Sequence, residues 1–397
     1  MNKKYCLIVS AVYPPEPVVS AVLSSDLYGA LTEKGYTVKV LHPKPTRPNG
    51  FDFGEEIKCG RDEITTDSFV CPQMSIIGRM RESLSFGRAC LDYIKEHNSE
   101  ISCIYANAWP MFSQLDIVKG ANKYSIPCFI HVQDVYPDSL TNKMSGILKK
   151  IVYSLFLPMD KFILRSSSHV ITISEKMRCH LSQSRDIDQD KISVVINWQD
   201  EKDFLIYQEE HNPDDHDKFT FMYLGNIGPV AGVDLLIDAF VNAKIDDARL
   251  VIAGSGSMKA SLMQKSAHYG NIEFWDVPIG KVPEIQSKAD LMLLPIKKGA
   301  ASSSIPSKLP AYMFSAKPII GCVDTDSDTA DAIRSANCGW VIEPDNPDLL
   351  AETMKMAASL ESGYLNEYSK NAQQYGLAHF SKERNLKKLV SIIEKAL

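Results

Sequence analysis

The sequence predicts an α/β protein made of two Rossmann-like, doubly wound domains in tandem. Its 397 residues exceed the length at which a single hydrophobic core is the rule. Short apolar runs alternate with helical patterns, which is typical of βαβ units and parallel sheets. A polar, proline-containing stretch at 209–218 interrupts this alternation, which then resumes. We therefore predict a first domain over 1–205, a second over 206–380 and a C-terminal helix over 381–397.

The first predicted domain contains six apolar runs with the character of buried strands. They are rich in Val and Ile and do not alternate strictly with polar residues, as expected for parallel strands covered on both faces. Helical segments separate several of them, such as 20–34, which Gly35 is placed to end. The predicted strands are 5–12, 37–41, 103–108, 128–132, 169–174 and 192–197.

The second predicted domain repeats this pattern. Its predicted strands are 219–225, 249–256, 272–277, 290–296, 317–323 and 339–344. The helical stretches between and after them are 232–243, 258–268, 327–336 and 347–361. The tail "SKERNLKKLVSIIEKAL" reads as an amphipathic helix that Ser381 caps at its N-terminus.

Composition and charge exclude several classes of protein. A formal net charge of −6 at pH 7 leaves no overall basic field for nucleic acid. The nine cysteines are scattered without a C-x-x-C pair, which suits free thiols in a reducing compartment and disfavours structural zinc. No apolar run approaches the ~18 residues of a membrane span. The N-terminal apolar run stops at Pro14, too early for a signal peptide. We therefore expect a cytosolic protein.

Two glycine-rich loops follow strands of the second predicted domain, "YLGNIGPVAG" at 223–232 and "AGSGSM" at 253–258. Glycine lets the backbone approach a ligand closely, and open α/β sheets bind ligands at the carboxyl ends of their strands. Neither loop has the G-x-G-x-x-G fingerprint, which disfavours NAD. The alternative is that both are tight turns between a strand and a helix. The glycines concerned are Gly225, Gly228, Gly232, Gly254 and Gly256.

The segment "SSSIPSKLPAYMFSAKPII" (302–320) places Lys308 at the start of a short predicted helix. Pro310 is tolerated in a first helical turn, and Ser307 would be the N-cap residue. Free N–H groups, the positive helix end and the Lys308 ammonium would then meet at one phosphate-binding spot. The alternative is a solvated lysine on an ordinary capped helix.

In the first predicted domain, "IHVQDVYPDSL" (130–140) takes a strand directly into a polar loop. His131 and Gln133 point to the same side of the strand, and Asp134 lies where the strand ends. These side chains would group at the carboxyl end of the sheet, although a lone histidine in a strand is more often structural than catalytic. Glu16 and Ser20 are the polar members of the first βα loop at the same edge.

Taken together, eight segments in order resemble the GT-B glycosyltransferases, specifically glycosyltransferase family 4. The nearest likeness is to the branch that builds bacterial cell-surface polysaccharides such as capsule and lipopolysaccharide, including transferases of fucosamine-type and N-acetylhexosamine sugars. The segments are "YPPEP", "QDVYPDSL", "VITISEKMRCHL", "VVINWQDEKDF", "FMYLGNIGPVAGVDLLIDAF", "LVIAGSGSMKASL", "IPSKLPAYMFSAKPII" and "GWVIEPDNPDLLAE".

This resemblance implies two Rossmann-like domains facing a central cleft, with the C-terminal helix packing back on the first domain. It implies a retaining hexosyltransferase reaction from a nucleoside diphosphate sugar, most simply a UDP-sugar, to a hydroxyl of a polysaccharide or lipid-linked glycan precursor. We expect no metal and no cofactor. The implied catalytic residues are Asp134, His131 and Lys308. The implied donor-binding residues are Gly225, Asn226, Gly228, Gly254, Gly256, Val277, Ser303, Ser304, Ser307 and Lys308. The implied acceptor residues are Glu16, Ser20 and Gln133.

The sequence departs from the family pattern at several of its charged positions. Two glutamates common in the family fall at Ser303 and Ala311, and a common arginine and lysine fall at Asn226 and Ala231. The common histidine of the cleft falls at Gln133. We expect Lys308 to replace the missing basic pair as the main contact of the diphosphate.

The stretch 144–168 combines large apolar residues with four basic ones and predicts a surface that approaches anionic lipid, as suits a polyprenyl-linked acceptor. The alternative is a pair of core-facing helices with solvated lysines. Two other functions remain open at this level: a GT-B sugar-nucleotide epimerase, and a two-lobed protein that binds a sugar nucleotide without catalysis.

Overall fold

The computed structural model describes residues 4–46, 60–71, 75–107, 111–141, 144–211, 217–299 and 305–397. The chain divides into two compact units. The first unit comprises Met1–Asn197 together with Asn385–Leu397, and the second comprises Trp198–Arg384. The C-terminal residues are therefore part of the first unit, although they follow the second in sequence.

The division between the units lies closer to the N-terminus than the expected boundary at residue 205. The helix Lys202–Glu210 belongs to the second unit, where the ring of Phe204 lies 5.8 Å from the ring of Phe314. Gln208 Nε2 also donates a hydrogen bond to the Phe314 carbonyl, at 2.8 Å. The polar stretch 209–218 begins with the last two residues of this helix and therefore does not mark the division between the units.

In the described part of the chain, the first unit holds a parallel sheet of seven strands with the order β3-β2-β1-β4-β5-β6-β7. Ile8 of β1 is level with Val40 of β2 on one side and with Tyr105 of β4 on the other. The strands are β1 (Tyr5–Val9), β2 (Val38–Pro43), β3 (Glu63–Thr66), β4 (Ile101–Asn107), β5 (Cys128–Val132), β6 (His169–Thr172) and β7 (Ile192–Val194). The helices are α1 (Val19–Glu33), α2 (Ile76–His97), α3 (Met111–Lys123), α4 (Asp138–Thr141), α5 (Gly146–Ser166) and α6 (Glu175–Arg185).

The second unit, over its described residues, holds a parallel sheet of six strands with the order β10-β9-β8-β11-β12-β13. The strands are β8 (Phe219–Leu224), β9 (Ala248–Ala253), β10 (Ile272–Trp275), β11 (Leu291–Pro295), β12 (Ile319–Cys322) and β13 (Gly339–Ile342). The helices are α7 (Lys202–Glu210), α8 (Val233–Ala243), α9 (Lys259–Ser266), α10 (Val282–Ser287), α11 (Lys308–Phe314), α12 (Asp328–Ala336), α13 (Pro347–Ala358), α14 (Ser362–His379) and α15 (Lys382–Ile393), of which α15 passes into the first unit from Asn385.

All twelve predicted strand segments contain a strand, and the parallel pairing is confirmed. No bounds were predicted for β3 or for the helices α2, α3, α4, α6, α7, α10 and α14. The cap of the last helix is confirmed, because Ser381 Oγ accepts a hydrogen bond from the Arg384 N–H at 3.3 Å.

Each sheet is covered on both faces, and each unit has its own hydrophobic core. In the first unit the core includes Leu7 and Val9 of β1, Ile104 of β4 and Ile130 of β5, none more than 2% exposed. In the second unit Phe221 of β8 and Leu250 of β9 pack against helices α8 and α13 through residues such as Leu236 and Met354. None of the helices within the described ranges is long and apolar enough to cross a membrane.

Candidate active site

The strand order of the second unit defines where its ligand site should lie. β8 is flanked by β9 on one side and by β11 on the other, so the chain leaving β8 and the chain leaving β11 turn in opposite directions. Such a switch point opens a crevice at the carboxyl ends of the strands. Gly225 directly follows β8, and Lys308 begins helix α11, which follows β11. The sheet therefore brings these two predicted residues to the same crevice.

Lys308 lies against the glycine loop and the ring of Tyr223. Its Nζ is 5.5 Å from the centroid of that ring. A Cβ atom on Gly225 would overlap Cε of Lys308 and would lie 3.2 Å from its Nζ. Burial lowers the pKa of the Lys308 ammonium. Within the part of the chain that the structure describes, no carboxylate forms an ion pair with it. A half-buried, unpaired ammonium is suited to an anionic ligand.

The two glycine loops are packed main chain against main chain. The Gly225 N–H donates to the Ala253 carbonyl at 3.0 Å, and the Ile227 N–H donates to the Ser255 carbonyl at 2.8 Å. A Cβ atom on Gly254 would overlap the Gly225 carbonyl oxygen, and one on Gly256 would overlap the carbonyl of Ile227. The absence of side chains at these two glycines therefore lets the loops approach each other. From the sequence alone, this packing role could not be distinguished from contact with a ligand.

The other predicted donor residues occupy different positions around these loops. The exposed Asn226 accepts a hydrogen bond from the Tyr223 hydroxyl through its carbonyl, at 2.7 Å, and Gly228 lies beside the Asn226 side chain. Val277 is half-buried just beyond β10. Ser303 and Ser304 lie outside the described residues.

The predicted capping role of Ser307 is wrong, although the residue does precede the first helical position. Its φ of −59° and ψ of −16° are helical, and its side chain makes no capping hydrogen bond. An N-cap serine needs an extended backbone to direct its oxygen at the first turn. Ser307 is exposed instead.

The first unit has its own switch point, between β1 and β4, and a cavity of about 730 Å³ lies there. Four polar residues at the carboxyl edge of the sheet line it. Ser20 lies on α1, which follows β1; Asn107 ends β4; Gln133 and Asp134 follow β5. Asn107 was not predicted as a site residue. The signal for it was a polar side chain at the end of a buried strand.

His131 does not reach this cavity, because it has no exposed surface. Its Nδ1 lies 2.6 Å from the Tyr105 hydroxyl and its Nε2 lies 3.1 Å from Nε2 of Gln133. Burial lowers the pKa of His131 to about 3, so the ring is neutral. The Gln133 amide then donates to Nε2, and its Oε1 accepts from Asn197 Nδ2 at 2.7 Å. The histidine therefore fixes the orientation of Gln133 and does not contact a substrate itself.

Glu16 is likewise occupied within the protein. It is 4% exposed, and its carboxylate accepts hydrogen bonds from the Tyr13 N–H at 3.1 Å and the Thr46 N–H at 2.8 Å. These contacts hold the first βα loop in place. Glu16 therefore does not line the cavity, whereas Ser20, which the structure places on α1 and not on this loop, does.

Arg185, which has no exposed surface, holds the loop that carries Asp134 in place through hydrogen bonds. The Arg185 guanidinium donates to the Tyr136 carbonyl at 2.6 Å, to Asp160 at 2.7 Å and to Asp138. Burial alone would lower the pKa of Arg185, but its bonds to Asp138 and Asp160 raise it. This network could not be predicted from the sequence, since its members come from three separate segments.

No group of three or more His, Cys, Asp or Glu side chains placed to hold a metal ion occurs among the described residues.

Two protein-family patterns match the chain and together cover most of it. The family described as Glycosyltransferase Family 4 matches residues 21–202, and the family described as Glycosyl transferases group 1 matches residues 207–375. The border between the two matches lies close to the division between the structural units.

Two curated proteins are similar to the chain at low identity. "Probable glycosyltransferase WbjE" of Pseudomonas aeruginosa is 23% identical over 259 residues, which is 63% of this chain and 64% of that protein, somewhat under two thirds of its length. "Putative colanic acid biosynthesis glycosyl transferase WcaI" of Escherichia coli K12 is 22% identical over 328 residues, which is 76% of this chain and 79% of that protein.

Solved structures share the fold over almost the whole chain. Sucrose-phosphate synthase of Thermosynechococcus elongatus has a TM-score of 0.72 at 14% identity, with 99% of both chains covered. HepE of Anabaena, solved in complex with UDP, has a TM-score of 0.65 at 12% identity, with 98% of this chain and 100% of that chain covered. With two parallel-sheet units and both family patterns in order, the chain belongs to the GT-B glycosyltransferases, with a family 4 N-terminal region and a group 1 C-terminal region.

Proposed function

We propose that the protein transfers a sugar from a UDP-sugar, with retention of configuration, to a hydroxyl of a polysaccharide or lipid-linked glycan precursor. The observation that carries this proposal is the position of Lys308. It is a half-buried ammonium at the switch point of the second sheet, beside the glycine loop that follows β8.

On the donor side, Lys308 would bind the diphosphate. Negative charge grows on the diphosphate as the bond to the sugar breaks, and a fixed positive charge in a partly buried site stabilises that change. Asn226 and Ala231 stand where the family commonly has a basic pair. Lys259 and Lys297 also lie beside the glycine loops, but they are paired with Asp276 and Asp234, so we assign the diphosphate to Lys308. We propose that the site works without a metal ion. UDP is favoured because HepE was solved with it.

On the acceptor side, we propose that Asp134 orients the attacking hydroxyl, with Gln133, Asn107 and Ser20 binding other hydroxyl groups of the acceptor. All four line the cavity of the first unit. His131 acts through Gln133 as a positioning residue, since its two ring nitrogens bond Tyr105 and Gln133. A carboxylate and two amides at a sheet edge offer the donors and acceptors that sugars need.

The relatives and helix α5 support a proposal for the biological setting. The name of WcaI places that protein in colanic acid biosynthesis, and we propose a role in surface-polysaccharide assembly for this chain. On α5, Ile147 and Leu155 are 77% and 67% exposed, and Lys150 is exposed between them. An exposed apolar face with lysines suits contact with an anionic membrane. We therefore propose a cytoplasmic enzyme that acts at the inner face of the cell membrane.

Thermal-shift measurements with UDP, GDP, ADP and dTDP, each with and without EDTA, test the donor assignment. A nucleotide at ~100 times its dissociation constant should stabilise the protein by about 2.7 kcal/mol. We expect UDP to stand out and EDTA to change nothing. A shift that EDTA removes would contradict the metal-free site.

Turnover of the bound UDP-sugar separates the transferase from the alternatives. Lys308→Ala should lose most of the UDP shift and of the activity, whereas Lys370→Ala, at an exposed lysine of α14, should retain both. Binding without turnover in the presence of lipid-linked acceptors would favour a non-catalytic protein, and a changed sugar without transfer would favour an epimerase.

A further inference from the structure

The walls of the cavity in the first unit are apolar, whereas the end of the cavity at the sheet edge is polar. Large apolar side chains of helices α2, α3 and α5 and the loop before α5 line it: Met80, Met111, Phe112, Met144, Val152 and Phe156. Phe112 and Phe156 meet edge to face, with ring centroids 5.8 Å apart. Its volume of about 730 Å³ is within the usual range for a small-molecule site. A sugar alone would not require walls of this kind.

Exposed apolar side chains also lie on two of the helices that line the cavity. On α5, Ile147, Ile151 and Leu155 follow each other at intervals of four residues and are 57–77% exposed. On α2, Ile77 and Met80 are 81% and 38% exposed. Met80 belongs both to the cavity lining and to this outer surface. An apolar ligand longer than the cavity would therefore remain against apolar surface where it leaves.

The polar groups fix the direction of such a ligand. Asn107, Gln133 and Asp134 lie at the carboxyl edge of the sheet, whereas Met80 and Val152 lie on the surrounding helices. The Arg79 guanidinium, which bonds Glu82 at 3.0 Å, adds a cation to the wall on α2. A ligand with a sugar at one end and a chain at the other matches this order.

We propose that this cavity binds the apolar chain of a lipid-linked acceptor, whose sugar lies at Gln133 and Asp134 and whose chain runs between α2 and α5 to the exposed apolar surface. The proposal rests on the proposed transferase function and names its acceptor class. The apolar chain of the acceptor would determine specificity, because acceptors that lack it lose the contacts with the cavity walls.

Titration calorimetry of the full-length protein with a series of alkyl β-D-glucopyranosides tests the proposal. The series has methyl, hexyl, heptyl and octyl chains, and each glucoside is used below its critical micelle concentration. The sugar is constant, so any trend reports on the chain. We expect no measurable binding of the methyl glucoside and a gain of roughly fourfold in affinity for each added methylene group. Equal affinities along the series, or no binding of the octyl glucoside, would overturn the proposal.

Two variants locate the binding. Val152→Trp fills the cavity, and Met80→Asp places a charge at its exposed rim; each should weaken octyl glucoside binding at least tenfold. Ile206→Trp, at a half-exposed position of α7 in the second unit, is the matched control and should bind as the wild type does. Wild-type affinity in both cavity variants would overturn the assignment.

UDP binding, measured on the same samples, separates the two proposals. Retention of the UDP shift in Val152→Trp with loss of octyl glucoside binding supports the chain site on an intact donor site. Absence of nucleotide binding and sugar transfer in the wild type would contradict the proposed transferase, while the chain-length series still decides what the cavity holds.

Discussion

Cδ and Cε of Lys308 fill the space that a Cβ atom would occupy on Gly225. The lysine side chain therefore passes directly over the glycine loop that follows β8. The absence of a side chain at Gly225 and the position of the ammonium are linked, so a change at the glycine should alter the site through the lysine.

Gly225→Ala should weaken UDP binding about tenfold while changing the midpoint of unfolding little. The added methyl group displaces the flexible end of Lys308, and a hydrogen bond to a charged group contributes about 1.5–3 kcal/mol. Calorimetric titration with UDP measures the effect. Gly270→Ala is the control, because a Cβ there meets no atom within 4 Å. Unchanged UDP affinity in Gly225→Ala would show that the lysine does not bind the nucleotide.

As the pH rises, the affinity for UDP should begin to fall at a lower pH than it would if Lys308 had the pKa of an ordinary lysine. The protonated ammonium binds the diphosphate, and burial lowers the pKa of Lys308 in the free protein. As the pH rises through that lowered pKa, the binding-competent fraction shrinks tenfold per pH unit. Titrations between pH 7 and pH 10 should show this decline in the wild type. Lys308→Gln should bind UDP weakly, and its affinity should not decline over this pH range. A parallel decline in that variant would mean that another group causes the loss of affinity.

Arg185→Met should destabilise the protein by about 3–5 kcal/mol, because it leaves the carboxylates of Asp138 and Asp160 without their buried partner. Denaturant unfolding monitored by circular dichroism measures the loss. Arg88→Ala is the contrast, since Arg88 is 74% exposed and lies 3.8 Å from Asp92. Its loss should cost less than about 1 kcal/mol. Equal effects of the two substitutions would mean that the buried network contributes no more than a surface pair.

His131 should make stability fall as the solution becomes acidic. Its pKa is about 3 in the folded protein and about 6.5 in the unfolded chain. Between these values the unfolded chain binds a proton that the folded protein does not. The free energy of unfolding should therefore decrease as the pH falls from 6.5 toward 3, by about 1.4 kcal/mol per unit from this residue.

The comparison of wild type with His131→Asn isolates that contribution, because the other titrating groups, including His169, remain in both proteins. Unfolding in urea at several pH values between 7 and 4 gives the two slopes. The variant should be less stable at pH 7 and less sensitive to acid. Parallel slopes would mean that His131 is protonated in the folded state.

The sheet strands could be predicted from the sequence because Val- and Ile-rich runs of five to eight residues have no other stable place than a buried parallel sheet. β3 (Glu63–Thr66) escaped this reasoning, since "EITT" is short and half polar and pairs only at the sheet edge, with β2. α14 escaped because its residues are mixed polar and aromatic, and only Ala372 and Gly376 are fully buried.

The candidate site could be predicted as far as it depends on the ends of strands. Gly225 and Lys308 follow the two strands at the switch point of the second unit, and Gln133 and Asp134 follow β5, next to the switch point of the first unit. The enclosure of His131 by Tyr105 and Gln133 could not be read from the sequence, because it depends on the register of β4 and β5. The apolar cavity could not be predicted either, since helices distant in sequence form its walls.

The two separate hydrophobic cores have a consequence for how such enzymes diversify. Among the residues that the structure describes, the core of the first unit contains none from the second unit, and the reverse is also true. A substitution that reshapes the cavity of the first unit therefore leaves the packing around Lys308 intact, and a substitution in the glycine loops leaves the cavity intact. Under the proposed function, the acceptor can therefore change over evolutionary time while the donor sugar stays the same, which would allow one scaffold to yield many different glycan linkages.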